Sequence, residues 1–313
     1  MPDTDFEGEA RDSVVATVVV PTRDRPESMR RAALSILRGG QPDIELIVVD
    51  QSDGEETART LAALGDSRVR IIRPGPIGKS AAANLGLRAA SADIVAFTDD
   101  DCEVAPTFVS HGSRILRQRS QAAMVCFSVR AAPFDPALGW VERREFSRNA
   151  EYRGTRHARR ACGLGASLVV RKAAVLSIGG FDEQLGPGAL FPAAEEADLA
   201  FRVLLSGKFV IHSTASFVTH HGFRTHAEGR TLAKRNFTGI GAVAGKYMKS
   251  GNPAIWSQFL AYHTTASLAK AARAMVHTGR PSGASDLLYL WMGVWRGLRQ
   301  PLDRQALLFT KKK

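Results

Sequence analysis

Short apolar runs alternate with helically spaced segments along the first hundred residues of the chain. Four apolar runs predict buried strands: residues 14–20, 44–49, 69–72 and 94–97. Three segments between them have the spacing of amphipathic helices: residues 30–37, 55–64 and 80–90. This alternation predicts an α/β fold with a mostly parallel sheet and helices on both of its faces.

Polar side chains follow three of these runs, at the point where each predicted strand ends. Pro21, Thr22 and Arg23 follow the first run, Asp50 follows the second, and Asp99–Asp101 follow the fourth. Because parallel strands end at one edge of their sheet, we expect these residues to meet there. That edge is where open α/β sheets bind their ligands.

The triplet Asp99–Asp101 places three carboxylates at the end of an apolar strand. Adjacent like charges repel one another, and a neighbouring cation relieves the repulsion. A hard divalent cation, Mg²⁺ or Mn²⁺, is the natural partner of such oxygen ligands, and these ions usually bridge to phosphates. The triplet alone leaves open a second interpretation, a solvated acidic turn that caps the following helix.

Beyond residue 101 the alternation weakens. Residues 124–129 predict a further strand, and residues 131–160, rich in Arg, Pro and Gly, predict a long loop or a helix pair. Residues 209–211 and 217–218 predict two short strands that lead to His220-His221. These histidines either pack or face solvent, or one of them adds a ligand to a metal site.

Residues 191–205 carry three acids, Glu195, Glu196 and Asp198, at the start of a predicted helix. One interpretation is structural, because acids at a helix N-terminus complement its dipole. The other is chemical, because one carboxylate beside a second acid can hold a raised pKa and act as a general base.

The segment of residues 73–80 ends in Gly78-Lys79-Ser80, as a phosphate-binding loop does, but the first glycine of such a loop would have to stand at position 73, which is Arg73. Two prolines in the segment also remove backbone N–H donors. The sequence therefore argues against a nucleotide-hydrolysing loop here. The next helix carries Asn84 and Gly86 as close-packing or ligand-facing positions.

The composition of the chain bounds its class. Its 313 residues, 44% of them hydrophobic, suffice for one large domain or two ordinary ones. Residues 1–12 lack the features of a signal peptide and are expected to be disordered, and the apolar run 287–295 is far shorter than the ~20 residues that span a bilayer. Cys102, Cys126 and Cys162 lack metal-type spacing and predict reduced thiols in a cytoplasmic protein.

The net charge of +11 belongs to the C-terminal part of the chain. Residues 226–313 hold 14 Lys and Arg against 3 acids, whereas residues 1–225 hold 28 of each. We therefore expect a catalytic domain over residues 13–225 and a basic helical extension over residues 226–313 that meets an anionic partner.

Three of the four tryptophans, Trp256, Trp291 and Trp295, lie on or beside two predicted helices of the extension, residues 257–275 and 286–298. Basic helices that carry Trp suit an anionic membrane surface, and the protein would then be peripheral on the inner face of the membrane. The alternative is that these tryptophans pack the helices onto the catalytic domain.

Seven segments in a fixed order make the chain resemble the family 2 glycosyltransferases, which have the A-type nucleotide-sugar fold (GT-A). The segments lie between residues 14 and 225 and are Val18-Val19-Val20-Pro21-Thr22-Arg23, Ile47-Val48-Val49-Asp50-Gln51-Ser52, Asn84-Leu85-Gly86, Phe97-Thr98-Asp99-Asp100-Asp101, Gly163-Leu164-Gly165-Ala166-Ser167, Gly179-Gly180-Phe181-Asp182-Glu183 and Glu195-Glu196-Ala197-Asp198-Leu199. Each segment is weak alone, and their order makes the resemblance specific.

The resemblance implies a site for a nucleotide-diphosphate sugar and Mg²⁺ or Mn²⁺. Its metal ligands would be Asp101, Asp99 and His220, with His221 as the alternative to His220 and with Asp99 nearer the ribose. The expected substrate-binding residues are Pro21, Thr22, Arg23, Asp50, Asn84, Asp99, Asp100, Gly165, Ala166 and Asp198.

The resemblance also implies inverting transfer to an acceptor hydroxyl, with Glu196 as the catalytic base and Glu195 as the alternative. A glycan or a lipid-linked acceptor, used in cell-envelope or polysaccharide synthesis, would fit. Two positions depart from the family pattern: Gln51 replaces the second of two aspartates, and Glu196 replaces the usual catalytic aspartate. The arginines of residues 143–160 would close over the donor diphosphate, contact an anionic acceptor, or form a solvated loop.

Two other functions compete with glycosyl transfer. A nucleotidyltransferase would need a glycine-rich signature after the first strand, which residues 21–25 lack. A nucleic-acid-binding protein would place its charge on a recognisable reading module or a basic face, whereas here the first 225 residues are neutral. No nucleic acid is therefore expected as a partner.

Overall fold

The computed structural model describes residues 14–41, 43–278 and 284–311. The segment 1–12, expected to be disordered, lies outside the described residues. The strands of the described chain are β1 (Ala16–Thr22), β2 (Ile44–Asp50), β3 (Val69–Ile72), β4 (Ile94–Phe97), β5 (Cys102–Val104), β6 (Ala122–Ala131), β7 (Gly139–Val141), β8 (Ala150–Arg153), β9 (Leu168–Arg171), β10 (Phe209–His220), β11 (Phe223–Thr225), β12 (Leu302–Asp303) and β13 (Leu308–Phe309). The α-helices are α1 (Pro26–Leu37), α2 (Glu56–Ala62), α3 (Lys79–Ala89), α4 (Phe108–Gln118), α5 (Ala158–Ala161), α6 (Lys172–Leu176), α7 (Glu195–Leu205), α8 (His226–Lys249), α9 (Pro253–Thr278) and α10 (Ala284–Arg299).

One sheet of nine strands dominates the described part of the chain. Its order is β3-β2-β1-β4-β9-β6-β10-β5, and β8 pairs with the first residues of β10. Six strands run in one direction, while β5, β8 and β9 pair antiparallel to their neighbours. The prediction of a mostly parallel sheet flanked by helices is therefore confirmed.

The register of the parallel strands places the predicted polar residues at one sheet edge. Thr22 at the end of β1 pairs with Asp50 at the end of β2, and Val19 pairs with Phe97 at the end of β4. The chain leaves β4 directly into the aspartate triplet.

Both faces of the sheet are buried, as expected for strands that read as continuous apolar runs. Along β1, Val19 joins one hydrophobic cluster and Val18 and Val20 join the other. The cluster around Val19 also contains Val243 and Tyr247 of α8, so the C-terminal helices share the core of the sheet domain.

Two predicted elements differ in the structure. The region 131–160 contains the short elements β7, β8 and α5 in place of a long loop or helix pair. The two short strands predicted over 209–218 are one strand, β10, which pairs with β6 through an irregularity between Ser213 and Phe217. The polar residues of that irregularity give the sequence the appearance of a break.

The C-terminal extension begins with a well-capped helix. The Thr225 hydroxyl accepts a hydrogen bond from the Glu228 backbone N–H, and the Glu228 side chain accepts one from the Thr225 N–H. Helices α9 and α10 confirm the two predicted helices, with Trp256 partly buried against the core and Trp291 and Trp295 about half exposed. Within the described residues, no helix combines the length and the apolar character that a membrane span requires.

Helices α8 and α10 approach closely through glycines on both sides. A Cβ at Gly241 or Gly245 would overlap the backbone of α10, and one at Gly293 or Gly297 would overlap the backbone of α8. The spacing of four residues keeps each pair on one helix face. This contact was not predicted from the sequence.

Candidate active site

A cavity of about 720 Å³ opens at the predicted sheet edge, between the strands and helices α8 and α9. Its size falls in the range of small-molecule sites, about 300–1,000 Å³. The cavity is lined by most of the predicted site residues: Pro21, Thr22, Arg23, Asp99, Asp100, Asp101, Gly165, Ala166, Glu195, Glu196 and His220.

The aspartate triplet is paired with cations, and Asp100 and Asp101 are buried while Asp99 is half-buried. Asp100 accepts hydrogen bonds from Thr22 Oγ1 at 2.7 Å and from Arg25 Nη1 at 3.0 Å. Arg25 Nη1 also donates to Asp101 Oδ2 at 3.1 Å, so one guanidinium joins two of the three carboxylates. Burial raises the pKa of Asp100, against the opposing charge of Arg25. The triplet is therefore not a solvated acidic turn.

Asp101 and His220 form the part of the site best suited to a divalent cation. His220 Nε2 lies 3.3 Å from Asp101 Oδ1, and its Nδ1 lies 2.9 Å from the Glu142 carbonyl oxygen. Without a cation between them, a protonated Nε2 donates to Asp101, and the pKa of His220 is raised. With a cation bound, a proton on Nδ1, donated to the Glu142 carbonyl, would leave the Nε2 lone pair for the ion, the usual arrangement of a metal-binding histidine. A Cβ at Gly222 would overlap the His220 ring, so this position has room only for glycine.

The donor set agrees with the expected metal. Asp101, Cys102 and His220 offer ligand atoms within 4.8 Å of one another. Burial raises the pKa of the Cys102 thiol well above its ordinary value, which leaves an oxygen and a nitrogen as the available donors. Burial acts to raise the pKa of Asp101, but the hydrogen bond and charge of His220, with the charges of Arg25 and Lys79, together hold this pKa below its usual range. An ionised oxygen ligand beside an imidazole fits Mn²⁺ or Mg²⁺.

Lys79 connects the aspartate triplet to the predicted base. Its Nζ lies 2.6 Å from Asp99 Oδ1 and 3.9 Å from Glu195 Oε1. Burial acts to lower the pKa of Lys79, but the charges of Asp99 and Glu195 outweigh it and raise this pKa. Asp99 is thus ion-paired and stands outside the group of candidate ligands, so its metal role stays a prediction.

Glu195 and Glu196 form the first turn of α7, as predicted. The turn follows Ala194, which has a φ of +71°, a left-handed conformation that a residue with a Cβ adopts only under constraint. Burial raises the pKa of Glu196 well above its ordinary value, and the charge of Glu195 raises it further. A carboxylate with a raised pKa on the wall of a cavity is suited to accept a proton.

The two histidines, left open by the sequence, face different acids. His220 Nε2 faces Asp101, whereas His221 Nε2 lies 2.9 Å from Glu103 Oε1. This geometry favours His220 over His221 as the candidate ligand.

Asp198 is placed away from the cavity, which corrects its expected role in substrate binding. The side chain has no exposed surface, and its oxygens accept from Arg202 Nε at 2.8 Å, Lys246 Nζ at 2.7 Å and Tyr247 Oη at 3.1 Å. Lys246 and Arg202 lower the pKa of Asp198 against its burial. Because its bonding capacity is used internally, Asp198 serves to anchor α8 to α7.

Asn84 and Asp50 also lie outside the cavity lining. The Asn84 amide donates to the Phe181 carbonyl at 2.9 Å and accepts from the Phe181 N–H at 2.7 Å, so it occupies the close-packing alternative. Asp50 is buried at the sheet edge, with Oδ2 3.4 Å from Arg73 Nε. Its neighbour Gln51 lines the cavity and accepts from the N–H groups of Ile77 and Gly78.

Three components of the site were not predicted from the sequence: Arg25, Lys79 and Gln51. Lys79 had a signal in Gly78-Lys79-Ser80, which drew attention for a phosphate loop that the chain does not form. Arg25 follows the predicted Pro21–Arg23 cluster by two positions, so extending that cluster along the loop would have included it.

Together the fold and the acidic site at the sheet edge agree with the glycosyltransferase architecture that the sequence predicts. A family model, glycosyl transferase family 2, matches residues 17–176, which is half of the chain. The chain belongs to this family.

The relatives agree with this assignment. Pre-mycofactocin glycosyltransferases from two strains of Mycobacterium tuberculosis, CDC 1551 / Oshkosh and H37Rv, are each 27% identical over 212 residues, which cover 65% of this chain. The match covers 42% of each relative, so the chain matches less than half of their length.

Solved structures confirm the GT-A fold. S. aureus TarS 1-349 has a TM-score of 0.65 at 13% identity, and the alignment covers 94% of this chain and 83% of the TarS chain. The same TarS fragment has been solved with UDP-GlcNAc. The mannosyltransferase PcManGT of Pyrobaculum calidifontis, solved with GDP-Man and Mn²⁺, has a TM-score of 0.60 at 16% identity. The alignment covers 90% of this chain and 86% of the PcManGT chain.

Proposed function

We propose that the chain transfers a glycosyl group from a nucleotide-diphosphate sugar to an acceptor hydroxyl, with inversion at the anomeric carbon. One observation carries the proposal: a single cavity holds a candidate metal site, Asp101 with His220, and a separate half-buried acid of raised pKa, Glu196. The nucleotide-sugar ligands of TarS and PcManGT support the class of donor.

The two acidic groups divide the chemistry. Asp101 has a lowered pKa and stays ionised, as a ligand must, whereas the raised pKa of Glu196 suits a residue that takes a proton. Glu196 accepts the proton of the acceptor hydroxyl as the oxygen attacks the anomeric carbon from the face opposite the leaving group. A Mn²⁺ or Mg²⁺ ion on Asp101 and His220 would stabilise the charge of the departing diphosphate.

Lys79 holds both parts of the site in place. Its ion pair with Asp99 and its approach to Glu195 link the loop after β4 to the start of α7. We propose that Lys79 fixes the separation between donor and base and that Asp99, held by Lys79 through Oδ1, contacts the donor ribose with its other carboxylate oxygen. Thr22, Arg23, Gly165 and Ala166 would complete the donor pocket, as part of the cavity wall.

A donor-binding measurement tests this proposal. Calorimetry with a panel of nucleotide sugars in the presence of Mn²⁺ should find a donor that binds the wild type. Asp101→Ala should weaken that binding tenfold or more and remove its dependence on Mn²⁺. Equal, metal-dependent binding by Asp101→Ala would contradict the metal assignment, and binding of no nucleotide sugar would contradict the donor class.

We further propose that the extension docks on an anionic membrane surface, where a lipid-linked or cell-envelope acceptor would be met. Helix α10 exposes an apolar stripe with helical spacing: Leu288, Trp291, Met292, Trp295 and Leu298. Beside it lies a groove of about 500 Å³ lined by Trp295 and by the cations Arg296, Arg299 and Lys311. Apolar side chains flanked by cations fit an anionic lipid surface.

A further inference from the structure

The cavity has a second end, built by α5, α8 and α9, that the donor chemistry leaves unused. Arg159 of α5 lies there with Phe259, Tyr262 and His263 of α9. Helix α9 is tied to the segment before α5 by a hydrogen bond from Gln258 Nε2 to the Thr155 carbonyl at 2.9 Å. This end is therefore part of the fixed fold.

Arg144 and Arg159 differ from the cations of the aspartate end. Arg25 and Lys79 are paired with Asp100, Asp101 and Asp99. Arg144 and Arg159 also line the cavity, but neither forms an ion pair with any residue that the structure describes. The Arg144 Nε is buried and has no hydrogen-bond partner among the described residues.

Arg159 is held in a defined orientation. Its guanidinium carbon lies 4.0 Å from the centroid of the Tyr262 ring, a cation–π contact between α5 and α9. Arg144 lies next to the strand pairing, because its backbone exchanges hydrogen bonds with Val129. A planar guanidinium held in this way binds carboxylate and phosphate groups through paired hydrogen bonds.

The two arginines lie on the side of Glu196. Burial raises the pKa of the Cys162 thiol to about 12, and the charges of Arg144 and Arg159 oppose this rise while that of Glu196 adds to it. All three charges are therefore close to one thiol. The charges that act most strongly on Asp101 are those of His220, Arg25 and Lys79.

A partly buried guanidinium without a neighbouring anion has lost part of its hydration, which costs free energy. A ligand that places an anion beside it restores the missing interaction. We propose that Arg144 and Arg159 bind a carboxylate or phosphate group of the acceptor, next to the hydroxyl that Glu196 deprotonates. This inference rests on the proposed function. Inversion places the acceptor opposite the diphosphate, on the side of the base, and both arginines line the cavity that also holds Glu196. The Arg144 guanidinium carbon lies 5.9 Å from the centroid of the Phe146 ring, and Phe146 stacks on His212, which bonds the Ala161 carbonyl at the end of α5. The same chemistry could recognise a carboxylate on the donor sugar, so the test separates the two sources.

The test compares matched probes that differ in one anionic group. Calorimetry on the full chain measures p-nitrophenyl β-glucuronide against p-nitrophenyl β-glucoside, and glucose 6-phosphate against glucose. We expect the wild type to bind the charged member of at least one pair about tenfold more tightly. Arg144→Gln with Arg159→Gln should reduce this ratio to near one, and Arg159→Lys, which keeps the charge, should retain part of it.

Arg156→Gln is the matched control, since Arg156 is an exposed arginine of the same segment that does not line the cavity. It should leave the ratio unchanged. A wild type without preference for charge, or a double variant that keeps the preference, would overturn the inference.

The donor arm compares UDP-glucuronate with UDP-glucose in the same variants. A charge preference that appears only among donors and disappears with the arginines would assign the anion to the donor sugar and overturn the acceptor assignment. Because the acceptor probes are measured without a donor, their result is separate from a failure to bind nucleotide sugars, which would count against the proposed function.

Discussion

The ammonium nitrogen of Lys246 lies 2.7 Å from Oδ1 of Asp198, and both side chains are completely buried. The same nitrogen lies 2.7 Å from Asp182 Oδ2. Asp198 is on α7, two residues after Glu196, and Lys246 is on α8. The basic extension is thus bonded directly to the helix that carries the predicted base.

Removing Lys246 should therefore destabilise the whole chain. Lys246→Met leaves two buried carboxylates without their shared cation, a change that typically costs about 3–5 kcal/mol. Chemical denaturation measures the loss of unfolding free energy. Lys249→Met is the control on the same helix, because Lys249 is half-buried and pairs with no acid among the described residues, donating instead to the Gln300 carbonyl, so its loss should stay near 1 kcal/mol. Equal losses in the two variants would contradict the anchoring role.

The glycine contact between α8 and α10 should tolerate no side chain. In Gly241→Ala the new Cβ would overlap the Leu290 carbonyl oxygen, and backbone atoms cannot move aside as a side chain can. We expect a loss of about 1–3 kcal/mol despite the higher helix propensity of alanine. Gly54→Ala, which meets no atom within 4 Å, is the control, and thermal unfolding is the measurement. An unchanged melting temperature for Gly241→Ala would show that these helices do not pack as described.

The pH dependence of transfer should report the raised pKa of Glu196. A base must be ionised, so activity should be low below this pKa and rise as the pH increases through it. Glu195→Gln removes a charge that raises the pKa of Glu196, so the acid limb of the profile should move to lower pH. Glu55→Gln, an exposed site on the approach to α2, should not move it. An acid limb that stays in place in Glu195→Gln would argue against coupling of the two acids.

Membrane docking should depend on the exposed tryptophans of α10. Trp291→Ser with Trp295→Ser should weaken co-sedimentation with vesicles rich in anionic lipid about tenfold or more, and added salt should weaken it further. Leu138→Ser, which changes an exposed leucine outside the extension, should have little effect. Binding of the double variant at wild-type strength would remove α10 from the docking surface.

Much of the fold could be predicted because its signals are local. The strands β1 to β4 are nearly pure apolar runs, and each element between them has helical spacing, so the sheet edge and the predicted residues that meet there followed from their order. The acids of α7 could be located in the same way, since a helix start and its charges are contiguous in sequence.

The remaining features depend on contacts between distant segments. Asp198 has the same residue type and spacing whether it binds a ligand or a buried lysine, and only the packing of α8 48 residues later decides. Lys79 and the contact of Gly241 with α10 have the same origin, because their partners lie on other elements. The 131–160 region was wrongly predicted because its short strands pair with β10 and β11, which lie far along the chain.

The proposed function depends most directly on Glu196 as the base of glycosyl transfer. The measurement is the release of nucleoside diphosphate from the donor that binds best, with Mn²⁺ and acceptor present, by the wild type, Glu196→Gln and Glu195→Gln. Glu196→Gln should still bind the donor, while its turnover falls about 10²–10⁴-fold, because the amide cannot take the proton. Wild-type turnover in Glu196→Gln, or this full loss in Glu195→Gln alone, would contradict the account.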